Sequence, residues 1–143
     1  MSVILAGMEA RDLPQAASLG RQLGYDCAEI ESRFAAISKN PEEQLFVARD
    51  AGGTVLGWIQ VNRERDSLLA GPRAEVTALV VDERSRGRGI GRALLEQAEA
   101  WARERRLPAL RVRSNVVRRE AHAFYLKRGY ALSKSSHVFT KAL

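Results

Sequence analysis

Val80-Val81-Asp82-Glu83-Arg84-Ser85-Arg86-Gly87-Arg88-Gly89-Ile90-Gly91-Arg92-Ala93-Leu94-Leu95 is the stretch whose reading decides this chain. An apolar run gives way to a glycine-rich turn and then to helical spacing, so it reads as strand, loop, helix. Gly87, Gly89 and Gly91 leave no side chain between the main chain and a ligand, which lets consecutive N–H groups converge on one anion. The helix opening there adds the positive end of its dipole. Arg84, Arg86, Arg88 and Arg92 flank the turn, and guanidinium forks match phosphate oxygens. The expected ligand is a pyrophosphate.

Two familiar phosphate loops fail against these letters. A P-loop needs Lys and Ser/Thr after its last glycine, where this chain has Arg92-Ala93, and a dinucleotide fingerprint counted from Gly87 and Gly89 needs glycine where Arg92 stands. The remaining bounds are those of one globular domain, residues 1–143, with 45% hydrophobic and 28% charged residues. No apolar run approaches the ~20 residues of a membrane span, and the N-terminus lacks a secretory signal, so a cytoplasmic protein is expected. A single cysteine, Cys27, and two histidines, His122 and His137, offer neither an internal disulfide nor zinc-ligand spacing. No metal is expected. Net charge is +6, with 8 basic and 11 acidic side chains in residues 1–80 against 15 and 6 in residues 81–143. The loop lies in the basic half, which suits a polyanionic donor and a cationic acceptor, although many of the arginines sit on solvated helix faces.

Outward from the loop the elements alternate. Ser2–Met8 reads as a strand, Asp12 to Gly24 as a helix, about Cys27 to Ser38 as a second, shorter helix, and Leu45–Ala48 with Val55–Val61 as a hairpin about Asp50-Ala51-Gly52-Gly53. Ala74–Val81 is a strand apolar enough to be covered on both faces. The helix from Gly89 to Arg105 places Ile90, Leu94, Ala98 and Trp101 on one side. Leu110–Arg113 is a strand, Arg118–Arg128 a helix stopped by Gly129, and Tyr130–Leu132 and His137–Thr140 are two short final strands.

Arg86-x-x-Gly89-x-Gly91, following an apolar strand and opening a helix, resembles the acetyl-CoA loop of the GNAT superfamily of N-acetyltransferases, whose signature is Gln/Arg-x-x-Gly-x-Gly/Ala. Ala123-Phe124-Tyr125-Leu126-Lys127-Arg128-Gly129-Tyr130 is similar to the family's C-terminal element, an aromatic pair, a basic helix end, then glycine and an aromatic. The resemblance covers nearly the whole chain. It implies an α+β fold, a mixed, mostly antiparallel sheet splayed open beside the strand that enters the loop and flanked by about four helices. It also implies acetyl-CoA as donor, bound through Arg86, Gly87, Arg88, Gly89, Ile90, Gly91 and Arg92.

A lysine-like amine is protonated at neutral pH, and freeing its lone pair costs about 4 to 5 kcal/mol. Something must take that proton. Glu75, on the strand entering the loop and eleven residues before Arg86, is the candidate; a strand glutamate at similar spacing is the general base in the histone-acetylating branch of the family. Its competing role is that of a residue at a strand start. The leaving thiolate needs a donor, and the phenol of Tyr125 is of comparable basicity; the resemblance places such a tyrosine beside the sulfur and against the cofactor. By residue type alone Tyr125 is a core aromatic packed with Phe124 and Tyr130. Backbone N–H groups of Leu79, Val80 and Val81 are candidates for the oxyanion, and by resemblance they pair with the pantetheine arm. Asn115 matches a residue that hydrogen-bonds this arm; otherwise it is a turn or cap residue.

The expected reaction is direct attack of a primary amine on acetyl-CoA in a ternary complex, with a small-molecule acceptor. Alternatives are an acyl-CoA-binding sensor of the same fold and a protein lysine or N-terminal acetyltransferase. A nucleic-acid-binding role rests on charge alone and lacks basic-aromatic interleaving, and no membrane partner is expected. A homodimer is compatible with the C-terminal strands as free edges.

Overall fold

Five strands stand in the sheet in their sequence order: β1 (Val3–Gly7), β2 (Glu43–Asp50), β3 (Val55–Arg63), β4 (Ala74–Val81) and β5 (Leu110–Val112). The first four pair antiparallel and β5 joins β4 in parallel. The computed structural model describes residues 2–114 and 118–143, and its contacts divide the chain into two compact units, Met1–Val112 and Arg113–Leu143. All five strands belong to the first unit. So do helices α1 (Leu13–Gln22), α2 (Ile30–Ser38) and α3 (Ile90–Glu104), while α4 (Arg119–Lys127) belongs to the second.

Successive side chains of a strand point to opposite faces, and two neighbours on β3 show what covers each. The indole N–H of Trp58 donates to the Ala16 carbonyl of α1 at 3.1 Å. At Gly57 an added Cβ would lie 2.8 Å from the Val80 carbonyl oxygen and 3.2 Å and 3.3 Å from the side chains of Leu94 and Ile90 on α3. Helices α1 and α3 therefore lie on opposite faces, and glycine at 57 is what lets the start of α3 sit this close to β3 and β4. Trp58 is a core residue, packed against Leu19, Val47, Val55 and Val80. Under α3 the core is made by Ile90, Leu94, Leu95, Ala98, Trp101 and Ala102.

The hairpin closes as its letters require, the Asp50 carboxylate accepting from the N–H groups of Gly52 and Thr54, both at 2.9 Å. α2 begins at Ile30 rather than Cys27, because Asp26 turns back to accept from the Ala28 N–H at 3.1 Å and Glu29 is left-handed at φ 57°. Residues 130–143 form no strand, contrary to the two expected there. Leu132, Val138 and Phe139 are 80%, 81% and 93% exposed. Periodicity reports which face a strand would bury but does not supply the neighbouring edge that must take its N–H and C=O groups.

A buried ion pair fixes the start of α1 to the sheet. Arg49 on β2 donates from Nε to one oxygen of Asp12 at 2.9 Å and from a terminal nitrogen to the other at 2.6 Å, and also reaches Glu9 at 3.0 Å. Burial pushes the Asp12 carboxyl up, but the hydrogen bond and charge of Arg49 and the Glu9 N–H outweigh it and hold the group below the usual carboxylate range. The pair's stabilisation is thus complete above the unfolded carboxyl value of about 4 and is lost as pH falls through the lower folded value. We expect Arg49→Ala to lose about 3–5 kcal/mol in urea unfolding, since it strands a buried carboxylate. Asp12→Asn should flatten the decline of stability below about pH 4. A cost under about 1 kcal/mol for Arg49→Ala would contradict the anchoring role.

Candidate active site

The ladder between β4 and β5 covers only Ala74–Val76 with Leu110–Val112. From Thr77 to Val81 no strand pairs with the outer edge of β4 among the described residues. Backbone direction along that edge is set by one bond, from the Asp82 N–H to the Leu56 carbonyl of β3 at 2.9 Å. Because N–H groups alternate sides along a strand, Val80 also faces β3, and Leu79 and Val81 turn theirs outward. Of the three residues expected to offer main chain there, two do so; the Val80 side chain is buried in the core under α1.

Directly beyond, Glu83–Ser85 makes a single 3₁₀ turn whose first N–H groups are held by Asp82, the side chain accepting from the Arg84 N–H at 3.3 Å and the carbonyl from Ser85 at 2.9 Å. Gly87 and Gly89 both stand at φ 79°, and Gly89 is the N-cap of α3. Among the described residues no side chain caps this helix end. The N–H groups of the first α3 turn have no intrahelical acceptor, and they stand at the end of the loop into which β4 leads. Arg86, Gly87, Arg88 and Gly89 are exposed, Gly91 is half-buried, and the side chain of Ile90 is buried against Gly57, which leaves only its main chain to face a ligand. Arg92 is exposed and reaches Glu96 at 2.9 Å, and Arg84 reaches Asp82 at 3.5 Å.

Glu75 stands at the foot of the unpaired stretch, opposite Arg111 in the parallel register, and receives its guanidinium at 3.1 Å. The same guanidinium also holds Glu64, which in turn holds Arg73. Two carboxylates and two guanidinium groups thus interlock where β3, β4 and β5 meet, and the Glu75 side chain is only 12% exposed. Sequence reasoning singled out Glu75 but missed Arg111, because a cross-strand pair depends on register and not on spacing.

Tyr125 lies on α4 in the second unit, in edge-to-face contact with Phe124 at 5.3 Å and Tyr130 at 6.0 Å between ring centroids. Burial pushes its phenol above the ordinary value, with the Arg118 charge opposing, so it stays protonated throughout the neutral range. Asn115 falls outside the described residues. Cys27 donates to the Ala17 carbonyl at 3.5 Å, the contact of a small packing residue. Among the described residues no group of three or more His, Cys, Asp or Glu is placed to hold a metal ion, and no helix is long and apolar enough to cross a membrane. A cavity of about 360 Å³ between α2 and the start of β2 lies by Glu43, at the opposite end of the ladder from Val81.

An unpaired strand edge running into an uncapped, glycine-led helix start is a site for an extended ligand that ends in phosphates. The model of the acetyltransferase (GNAT) family matches residues 11–130. The chain belongs to this family. It is an acetyl-CoA-dependent N-acetyltransferase, and the family fold binds the donor. Over 126 residues it is 40% identical to the aminoalkylphosphonate N-acetyltransferase of Salmonella typhimurium, covering 87% of this chain and 78% of that one. Among solved structures, AAC(6')-Iy in complex with the bisubstrate analogue CoA-S-monomethyl-acetylneamine superposes with a TM-score of 0.87 at 14% identity over all of both chains. Glucosamine-6-phosphate N-acetyltransferase from Arabidopsis thaliana gives 0.80 at 22% identity over 99% of each.

For a GNAT loop the decisive backbone feature is the left-handed residue that begins α3. Nothing lies within 4 Å of a Cβ added at Gly89, so Gly89→Ala tests conformation alone. We expect a loss of about 1–2 kcal/mol in stability for forcing alanine into the left-handed region. CoA binding measured by titration calorimetry should weaken about tenfold as the amides swing off the phosphates. Unchanged affinity would show that this geometry is not what the donor reads.

Proposed function

We propose that the enzyme acetylates a small-molecule primary amine by direct attack in a ternary complex, in the cytoplasm. The observation that carries the reading is the unpaired β4 edge leading into the free N–H groups of α3. Leu79 and Val81 bond the amide arm of the pantetheine as an added strand would, and Gly87, Gly89, Ile90 and Gly91 hold the pyrophosphate through main-chain N–H groups. Arg86, Arg88 and Arg92 neutralise it. This fixes the thioester beside β4. The amine lone pair attacks its carbonyl carbon, and the oxyanion is met by an outward backbone N–H. The C–S bond then breaks, Tyr125 gives the departing sulfur its proton and recovers one, directly or through water, from the nitrogen that has become an amide, and the products are a neutral acetamide and free CoA thiol.

The amine must shed a proton first, and Glu75 takes it, directly or through water. Its ion pair with Arg111 favours a second reading, in which Glu75 is a strut joining β4 to β5. The two differ in what Glu75→Gln changes. As base, the variant folds with near-normal stability and loses about 10²–10⁴ in kcat. As strut, it loses stability and keeps kcat. Tyr125→Phe should lower kcat while leaving the affinity for CoA unchanged; equal turnover would remove the phenol from the mechanism.

The small-molecule acceptor is supported by the aminoalkylphosphonate relative. A panel of aminoalkylphosphonates, amino sugars, polyamines and lysine peptides, assayed by release of free thiol from acetyl-CoA, tests it. Fastest turnover on a small amine is expected, and fastest turnover on the peptides would overturn it. We further propose that both units form the one domain spanned by the family match, and that the exposed apolar side chains of residues 130–143 are covered in a homodimer.

A further inference from the structure

The last residue of α1, Gln22, faces the start of the phosphate loop from a different element. Its carboxamide is engaged at both ends: Nε2 donates to a carboxylate oxygen of Asp82 at 3.4 Å, and Oε1 accepts from the Glu83 N–H at 3.2 Å. Asp82 is 7% exposed and is the residue at which β4 ends and the 3₁₀ turn begins. An uncharged amide meets both demands, since one partner accepts and the other donates, whereas an ionised carboxylate can only accept. The charged group facing Asp82 among the described residues is the Arg84 guanidinium at 3.5 Å, largely in solvent, and α1 brings it only this carboxamide.

We propose that Gln22 is a positioning residue for the donor: it clamps the Asp82–Glu83 corner and so fixes the direction in which the loop enters α3. The inference rests on the reading of Arg86–Arg92 as the phosphate site. Because Gln22 is followed within three residues by the turn that ends α1, it ties the loop to the helix connection on the other face of β3 and β4. Its loss should therefore be felt in CoA affinity rather than in chemistry.

The sharp test is Gln22→Glu, which keeps the acceptor for Glu83 but replaces the donor to Asp82 with a second negative charge. A like charge nearby raises a carboxyl's pKa, so the introduced carboxyl is ionised and repelled at pH 8 and regains a proton to donate as pH falls toward 5.5. CoA dissociation constants are measured by calorimetry for wild type, Gln22→Glu and Gln22→Ala at both pH values, with the wild type at each pH as reference. We expect Gln22→Ala to weaken CoA about fivefold at both, the two hydrogen bonds that hold the corner being lost. Gln22→Glu should weaken it more at pH 8 and approach wild type at pH 5.5, with the KM for the amine unmoved. A Gln22→Glu deficit that is absent, or that is independent of pH, overturns the proposal. Should Gln22→Glu not fold, Gln22→Asn, one methylene too short to span both partners, must reproduce the weaker CoA binding, and wild-type affinity there overturns it equally. CoA affinity unchanged from wild type in both Arg86→Ala and Gly89→Ala would instead overturn the phosphate-loop reading, and this inference with it.

Discussion

A strand edge is a row of donors and acceptors that must be satisfied, and among the described residues β4 has a strand partner on its outer side for only three residues. That shortfall organises the rest of the molecule. Inner strands of a mixed sheet are usually paired along their length, so an edge left open at Leu79 and Val81 is a place for something extended to add on. The apolar faces on either side are closed by α1 and α3, which leaves the edge as the polar feature of an otherwise packed layer.

The start of α3 is held against β3 and β4 by packing. Gly57 removes the side chain that would hold the helix away from β3, and Ile90 and Leu94 fill the space it leaves. The same residue, Ile90, is thereby divided: its side chain is core, and its N–H is one of the first-turn donors proposed for the pyrophosphate. Arginines supply charge around this frame, but they are exposed, and the direction of the site comes from main chain. In the proposed binding mode the donor's thioester, joined to the pyrophosphate by the pantetheine arm, falls alongside β4.

Much of this was legible in the letters. The strand–loop–helix reading followed from glycines at alternate positions after an apolar run, while the family, the α+β fold and the reaction class came from the resemblance of Arg86-x-x-Gly89-x-Gly91 and Ala123–Tyr130 to GNAT motifs. Asp12 was readable as a helix start. Its partner Arg49 was not, being brought to it by the pairing of β1 and β2 rather than by any spacing. The same holds for Arg111 with Glu64 and Glu75, and for Gln22 with Asp82, pairs separated by dozens of residues that only the fold makes adjacent. The two strands expected at Tyr130–Leu132 and His137–Thr140 failed for the converse reason, since their apolar residues were visible and the absence of a paired edge among the described residues was not.

The central claim is that the outward amides of β4 and the first amides of α3 are open in the free enzyme and closed by the donor. Residue-resolved amide hydrogen exchange with and without CoA measures this directly. The account predicts that Leu79, Val81, Ile90 and Gly91 exchange readily alone and become protected together when CoA is added, while Val80, bonded to β3, is protected in both. Protection of Leu79 and Val81 already in the free enzyme, or no change on adding CoA, would contradict it.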